Sequence, residues 1–222
     1  MFFRDRADAA RQLAARLKGR PLRDPVVLAV PRGGVVTGAV LAQELGAELD
    51  VVLARKLRSP NYPEFALGAI SETGEVYLNE HLGAADIIGL EDYLTIERRT
   101  QMEEIAHRNR QLREIRPPVD VTGRSVIVTD DGIATGATLI AALKDIRLRN
   151  PHELIVAVPV AAPDSLPTVG AWCDEIVCLH APPGFRAVGY FFDDFSPVED
   201  ETVRELLRTA TPPADLAHGG VS

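Results

Sequence analysis

The residues that could do chemistry are concentrated near the middle of the chain, where residues 126–138 read VIVTDDGIATGAT. The apolar start of this segment predicts a buried strand. Asp130 and Asp131 follow that strand, and two carboxylates there can accept hydrogen bonds from vicinal hydroxyls or hold a hard cation through its waters. Residues 134–138 are small and open a helix, so their backbone N–H groups and threonine hydroxyls can form an anion-binding nest. A ligand with both a phosphate and a diol, such as a ribose 5-phosphate group, would satisfy both parts.

Two further loops carry residue types that suit an anionic ligand. The sequence PRGG at residues 31–34 follows the apolar run 26–30. Its glycines let the backbone approach a ligand closely, and its arginine offers a planar group that can bind phosphate through two hydrogen bonds. Arg55 and Lys56 follow a second apolar run at 50–54. A glycine-rich turn with an exposed arginine, and a solvated strand end, are the alternative interpretations of these two loops.

An alternation of predicted strands and helices indicates how the three loops could share one site. Short apolar runs predict strands covered on both faces, and apolar residues every three or four positions predict helices. This order predicts an α/β fold with an open, mostly parallel sheet and helices on both faces. Ligands of such sheets bind beyond the carboxyl ends of the strands, where these loops lie. Strands are predicted over 26–30, 50–54, 125–129, 154–158 and 175–179, and helices over 5–18, 35–45, 91–116, 137–149, 164–171 and 199–209.

The segment 57–118 interrupts this alternation. A turn-forming Glu-Thr-Gly sequence predicts an antiparallel hairpin over 67–78. The helix over 91–116 contains six arginines and six acidic residues, and this balance predicts a solvated face rather than a binding surface. We therefore predict a single domain over 1–210, in which 57–118 is an inserted lid, hairpin and long helix, and a flexible tail over 211–222.

The overall composition narrows the class of partner. The chain has 222 residues, with 24 basic and 32 acidic side chains and a formal net charge of −8, and this acidity disfavours a nucleic-acid partner. No apolar run reaches the ~18 residues of a membrane span, and the charged start MFFRDRADAARQ is unlike a signal peptide, so we expect a cytoplasmic protein. Cys173 and Cys178 do not make a disulfide framework, and with His180 they lack a fourth ligand for a metal site.

The segment 126–138 resembles the phosphoribosyl diphosphate signature of type I phosphoribosyltransferases, which consists of an apolar run, two acids, two variable residues and a threonine-rich phosphate loop. The order of predicted elements from about residue 26 to 180 agrees with that family. The resemblance is greatest to a group of uncharacterised bacterial phosphoribosyltransferase-like proteins that share the PRGG, ARK and TDDGIATGAT segments. It implies that Asp130 and Asp131 bind the ribose 2- and 3-hydroxyls and hold Mg²⁺, directly or through water. The 5-phosphate would lie on Ala134, Thr135, Gly136, Ala137 and Thr138.

The resemblance also implies roles for the other two loops. Arg32, Gly33 and Gly34 would bind the diphosphate, and the family often has a cis peptide in this loop, which we expect near Arg32-Gly33. A basic residue after the second strand would reach the same diphosphate, and Lys56 is our choice over its neighbours. The polar, proline-containing segment 57–64 would act as a flexible lid. Arg32, Lys56, Asp130 and Asp131 are the predicted catalytic residues.

The reaction implied is a magnesium-dependent transfer of the phosphoribosyl group from 5-phosphoribosyl 1-diphosphate to an unidentified, nucleobase-like acceptor, with release of diphosphate. Ala134 stands where members that use hypoxanthine or guanine have an acidic residue, which disfavours a 6-oxopurine acceptor. The aromatic and acidic segment 185–195 could cover the acceptor, with Arg186 near it, or could be core packing. The exposed hairpin and long helix could support a homodimer.

Three other functions are weighed against this one. A non-catalytic sensor of phosphoribosyl diphosphate or a nucleotide would share the fold but could lose the diphosphate contacts. A phosphotransfer domain with magnesium on Asp130 and Asp131 would leave the threonine-rich nest unexplained. A dinucleotide-binding dehydrogenase is disfavoured because no GxGxxG follows the first strand.

Overall fold

Strands and helices alternate through most of the part of the chain that the computed structural model describes, which is residues 2–60, 66–79, 82 and 89–210. The strands are β1 (Val26–Ala29), β2 (Glu48–Val51), β3 (Ala54–Arg58), β4 (Ala66–Ser71), β5 (Val76–Leu78), β6 (Ser125–Thr129), β7 (Glu153–Val160) and β8 (Glu175–His180). The helices are α1 (Arg6–Leu17), α2 (Gly33–Leu45), α3 (Glu91–Arg113), α4 (Ala137–Leu148), α5 (Leu166–Gly170) and α6 (Asp200–Thr209). The predicted tail at 211–222 lies outside the described residues.

The central sheet has five parallel strands in the order β2-β1-β6-β7-β8. Strand β1 lies between β2 and β6, with Val26 opposite Glu48 on one side and Val126 on the other. The chain reverses its direction across the sheet at this point, and the loops after β1 and β6 emerge side by side at the carboxyl edge. This arrangement confirms the predicted open, mostly parallel α/β fold.

Both faces of the sheet are covered, which explains why its strands are almost entirely apolar. Successive residues of β1 point to opposite faces, so that Val27 joins one buried cluster and Val26 joins another. Helices α1, α2, α3 and α6 contribute to the first cluster, and α4 contributes Ile140 and Leu143 to the second. Each fully buried leucine or isoleucine contributes about 1.5–3 kcal/mol relative to an exposed one. This packing fixes the positions of the strands and therefore of the loops at the carboxyl edge of the sheet.

A second, antiparallel sheet has the order β3-β4-β5 and confirms the predicted hairpin, which forms β4 and β5. The strand predicted over 50–54 ends early, because the chain leaves β2 and enters β3. Arg55 and Lys56 therefore lie inside a strand rather than in a loop, and the predicted lid over 57–64 begins in that strand as well. Pairing with β4 satisfies this backbone although the stretch has no apolar run. Residues 61–65 of the predicted lid lie outside the described residues.

The other element boundaries differ from the predicted ones by three residues at most. The largest difference among the helices is the end of α3, which stops at Arg113 rather than at residue 116. Among the described residues, no helix has the length and apolar character needed to cross a membrane.

A buried ion pair fastens α3 to the central sheet. The Asp50 side chain in β2 is 3% exposed, and its Oδ1 accepts a 2.7 Å hydrogen bond from Nη1 of Arg113. The same carboxylate accepts hydrogen bonds from the backbone N–H groups of Val51, at 2.7 Å, and Val119, at 3.0 Å. A carboxylate this deeply buried is costly without its cation. The pair therefore holds the last residue of α3 against β2.

Arg113→Ala should lower the free energy of unfolding by about 3 kcal/mol, because it leaves the Asp50 carboxylate buried without its cation. Urea denaturation measures the change. The exposed Arg110 of the same helix provides the matched control, and Arg110→Ala should change stability by no more than about 0.5 kcal/mol. Equal effects of the two substitutions would contradict the importance of the pair.

Candidate functional site

The glycines that open α2 lie directly against the acid pair that follows β6. A Cβ atom built on Gly33 would lie 1.9 Å from Oδ2 of Asp131, and one built on Gly34 would lie 2.9 Å from Cα of Asp130. No side chain larger than hydrogen fits at either position without moving the acids. The structure thus brings together two loops that are about 100 residues apart in the sequence. The lack of space beside the acids explains why glycine occupies both positions.

The loop before those glycines contains a cis peptide bond between Pro31 and Arg32. The bond was expected near Arg32-Gly33 and lies one peptide earlier. Arg32 occupies the N-cap position of α2, and its side chain is exposed. Its neighbour Gly33 lies against the acid pair, but Arg32 is not among the side chains that line the adjoining cleft.

The acid pair combines two carboxylates with few partners. The backbone N–H of Asp131 donates a 2.8 Å hydrogen bond to Oδ1 of Asp130, and Nε of Arg6 donates a 3.0 Å hydrogen bond to Oδ2 of Asp131. Among the described residues, none outside the pair donates a hydrogen bond to the other two carboxylate oxygens, Oδ2 of Asp130 and Oδ1 of Asp131. We call these two oxygens open because no donor of the described residues outside the pair reaches them, although the two acids also share a side-chain hydrogen bond.

The electrostatics of the pair favour a ligand that stabilises negative charge. Burial raises the pKa of Asp130 well above its usual range, and the neighbouring Asp131 carboxylate raises it further. Burial also raises the pKa of Asp131, although the hydrogen bond from Arg6 opposes that shift. Hydrogen bonds from hydroxyl groups, or a bound cation, would stabilise the charged forms of both acids and so lower both pKa values.

The two open oxygens also suit magnesium. Mg²⁺ commonly takes one or two carboxylates and completes its octahedron with waters and substrate oxygens. Within the described part of the chain, no group of three or more His, Cys, Asp or Glu side chains is arranged to hold a metal by itself. Asp130 and Asp131 fit an ion that is shared with a bound ligand rather than one enclosed by protein.

The loop between β6 and α4 has the form expected of an anion nest. Ala134 and Thr135 are exposed, and Gly136 has a φ of +76°, a left-handed conformation that favours glycine. Ile133 fixes the start of the loop, because its N–H donates a 2.9 Å hydrogen bond to the carbonyl of Val160. Helix α4 begins directly after Gly136, so its first N–H groups have no helical acceptor and are available to an anion.

A cationic cleft of about 300 Å³ adjoins the acid pair. Four basic side chains and one carboxylate face it, a charge balance that suits a ligand with several negative charges. The predicted residues Lys56, Asp130 and Thr138 meet in this cleft. The full lining consists of Val30, Pro31, Ala54, Arg55, Lys56, Arg58, Gln101, Arg108, Asp130 and Thr138.

The sequence analysis missed the contribution of α3 to this cleft. The face of this helix was predicted to be solvated, but Gln101 and Arg108 line the cleft, and Gln101 is 6% exposed. Oε1 of Gln101 accepts a 2.6 Å hydrogen bond from Nε of Arg55, and Nε2 donates a 3.0 Å hydrogen bond to Oε1 of Glu97. One signal was present in the sequence, since Gln101 falls on the same helical stripe as Leu94 and the other buried side chains of α3.

The aromatic segment 185–195 packs mostly against itself. The rings of Phe185 and Phe191 stack at 5.6 Å, and Phe192 lies 5.4 Å from Phe3 in a buried cluster. Tyr190 is exposed. The structure therefore accounts for most of these rings as packing, and a role over an acceptor stays a prediction.

The two cysteines show no sign of reactivity. Burial raises the pKa of Cys173 to about 11, and burial also raises the pKa of Cys178. Both thiols therefore stay protonated at neutral pH.

Comparison with known proteins decides the family. The sequence profile of the phosphoribosyl transferase domain matches residues 3–189. The chain belongs to the phosphoribosyl transferase domain family. All three loops of the candidate site lie inside the matched range.

The similarity to known relatives extends over nearly the whole length of this chain. The crystal structure of TT1426 from Thermus thermophilus superposes with a TM-score of 0.81 and 41% sequence identity, covering 96% of this chain and 100% of that one. Two Mycobacterium tuberculosis proteins, Rv0571c and MT0597, provisionally named as phosphoribosyl transferases, are each 39% identical over 224 residues. Those alignments cover 98% of this chain but 48% of each relative, so the chain spans about half the length of these curated proteins.

Asp130→Asn should raise the free energy of unfolding of the ligand-free protein at pH 7. The amide keeps the shape of the side chain and removes a charge that burial and Asp131 disfavour. Because the folded-state pKa of Asp130 is raised, the destabilisation is absent below the pKa of the unfolded chain and grows as the pH rises towards the folded value. The gain should therefore shrink between pH 7 and about pH 4.

Urea denaturation at the two pH values measures this effect. The exposed Asp164 provides the control, since Asp164→Asn should change stability by about 0.5 kcal/mol or less at both. A loss of stability at pH 7 on replacing Asp130 would show that the pair is not strained electrostatically.

Proposed function

We propose that the protein is a phosphoribosyltransferase that binds 5-phosphoribosyl 1-diphosphate with Mg²⁺. It transfers the phosphoribosyl group to an unidentified acceptor and releases diphosphate. One observation carries this proposal: a pair of carboxylates with open oxygens, a helix-start anion nest and a cationic cleft meet at one edge of the sheet. A sugar with hydroxyls in the middle and phosphates at both ends is complementary to that order of groups.

Each part of the donor has a place in this arrangement. The ribose 2- and 3-hydroxyls would donate to the open oxygens of Asp130 and Asp131. The 5-phosphate would accept hydrogen bonds from the loop 134–138 and the first turn of α4. The diphosphate would occupy the cationic cleft beside Lys56. Gly33 and Gly34 open α2 next to the acid pair, which borders that cleft at Asp130.

The chain's own groups then favour departure of the diphosphate. In the reaction the bond between ribose C1 and the diphosphate oxygen breaks and a bond between C1 and the acceptor forms, through an oxocarbenium-like state as in glycoside hydrolysis. Negative charge grows on the leaving oxygen, and Lys56 and Arg108 stabilise it more strongly than the uncleaved donor. Mg²⁺, held by Asp130 and Asp131, would supply further positive charge when bound.

The acceptor is constrained by what stands beside the phosphate loop. Ala134 is exposed at the position where the hypoxanthine- and guanine-using members have an acid. An alanine can neither accept a proton from a ring nitrogen nor orient one. We therefore expect an acceptor whose nucleophilic atom needs no general base at this position.

Turnover is tested by incubating labelled donor and Mg²⁺ with purines, pyrimidines, ammonia and small amines while measuring diphosphate release. Acceptor-dependent release is expected and would identify the acceptor as well. Tight donor binding without release by any acceptor would instead favour the sensor function.

Asp131→Asn should weaken donor affinity about tenfold or more, because it halves the charge available to the sugar hydroxyls and the cation. Titration calorimetry with phosphoribosyl diphosphate and Mg²⁺ measures the loss. The exposed Asp120 lies before the amino end of β6, at the opposite edge of the sheet, so Asp120→Asn should leave donor affinity unchanged. Unchanged affinity in folded Asp131→Asn would refute the assigned role.

Lys56→Ala should lower the affinity for phosphoribosyl diphosphate about tenfold, because a charge-assisted contact to the diphosphate is lost. The affinity for ribose 5-phosphate should stay within about twofold, since that ligand leaves the cationic cleft empty. The exposed Lys18 is the matched control. Equal losses for the two ligands would argue against a contact to the leaving group.

A further inference from the structure

One guanidinium outside the three loops is fastened to the acid pair. Arg6, the first residue of α1, is 8% exposed. Its Nε donates to Oδ2 of Asp131 at 3.0 Å, and its Nη1 donates to the backbone carbonyl of Ser196 at 2.9 Å. The guanidinium carbon lies 3.9 Å from the centre of the Phe195 ring, within cation–π distance. A single side chain therefore joins a candidate ligand group to a segment far along the sequence.

The backbone on the N-terminal side of Arg6 is held by that same segment. The N–H of Phe3 donates to the carbonyl of Phe191, and the N–H of Asp193 donates back to the carbonyl of Phe3, both at 2.8 Å. The N–H of Asp194 donates to the carbonyl of Arg4, also at 2.8 Å. Residues 3–6 and 191–196 thus form one hydrogen-bonded unit, which we call the clasp.

The contact of the clasp with the acid pair is also sterically defined. A Cβ atom on Gly33 would lie 3.0 Å from Nε of Arg6 as well as 1.9 Å from Oδ2 of Asp131. The ion pair therefore lies directly against the backbone that opens α2. Oδ2 of Asp131 is closed off by Arg6, which leaves Oδ1 as the oxygen that can face a ligand.

The chemistry of the contact argues for orientation rather than for stability alone. A largely buried ion pair gains little net stability over apolar packing, because both charges lose their hydration. Arginine does, however, hold its donors in a rigid fork. Here Nε donates to Oδ2 of Asp131 and Nη1 donates to the carbonyl of Ser196, so that carboxylate oxygen is placed relative to the backbone of the clasp. A carboxylate that must meet a sugar hydroxyl needs that accuracy, within about 0.5 Å and 10–20°.

We propose that Arg6 is a positioning residue, which orients Asp131 towards the ribose hydroxyls of the donor and makes that orientation depend on the clasp. This inference rests on the proposed function, because it assumes that Asp131 binds the donor. It extends the site to Phe195 and Ser196, which lie beyond the range 3–189 matched by the family profile.

The test compares two replacements of Arg6 by titration with phosphoribosyl diphosphate and Mg²⁺. Arg6→Met keeps much of the side-chain volume and removes every donor, and it should weaken donor affinity about 10- to 100-fold. Arg6→Lys retains the charge without the fork and should lose less. The affinity for inorganic diphosphate should stay within about twofold in both variants, because that ligand lies in the cationic cleft. The exposed Arg11 of the same helix is the control, and Arg11→Met should bind the donor normally.

A double-mutant cycle separates positioning from a general loss of structure. In an Asp131→Asn background, Arg6→Met should cause little further loss of donor affinity, since Arg6 acts through the Asp131 carboxylate, which that background lacks. Phe195→Leu leaves the ion pair in place and removes the ring, and it should weaken donor binding about threefold. This second variant keeps the inference testable if Arg6→Met does not fold.

Four results would overturn the inference: unchanged donor affinity in folded Arg6→Met, unchanged donor affinity in Phe195→Leu, additive effects in the cycle, or an equal loss of affinity for inorganic diphosphate. Each would leave the proposed function standing, provided that the unmodified protein binds the donor. Absence of donor binding by the unmodified protein would instead overturn the proposed function, and the role of Arg6 with it.

Discussion

The candidate site depends on the close approach of the α2 backbone to two carboxylates. Gly33 and Gly34 leave no room for a Cβ atom beside Asp131 and Asp130, so the N–H groups at the start of a helix lie next to two groups of negative charge. The parallel sheet makes this possible, because neighbouring strands β1 and β6 deliver both loops to the same edge. Burial at that edge raises the pKa values of both acids. The ligand-free site is therefore electrostatically strained in a way that hydroxyl donors or a cation would relieve.

The second sheet places positive charge next to the acid pair. Strand β3 holds Arg55, Lys56 and Arg58 over the carboxyl edge, and α3 adds Arg108. These cations face the cleft, whereas the acid pair is screened on its other side by Arg6. The insertion thus supplies a positive compartment next to a negative one. A donor with phosphates at its ends and hydroxyls between them would have the complementary pattern, and under the proposed function release of diphosphate would remove the part that these cations hold.

The anchors of this arrangement lie away from the ligand. Arg113 ties α3 to the buried carboxylate of Asp50, and Gln101 ties α3 to Arg55. Arg6 ties Asp131 to Ser196. Each of these contacts joins two separate elements around the site through a charge-assisted or polar bond in a largely buried place. Such bonds add modest net stability but fix geometry, which is what the proposed binding of a sugar between fixed groups would require.

The fold class and part of the candidate site could be predicted from the sequence alone. The strands of the central sheet are short apolar runs and the phosphate loop is a small, glycine-containing turn before a helix, so local composition was enough to predict the fold class and to single out Asp130, Asp131 and residues 134–138. Tertiary structure decided the rest. β3 is a strand only because β4 pairs with it, and Gln101, Arg108 and Arg6 face the site only because distant segments pack there. Periodicity reports the face that a residue occupies within its own element, whereas these contacts depend on which other element covers that face.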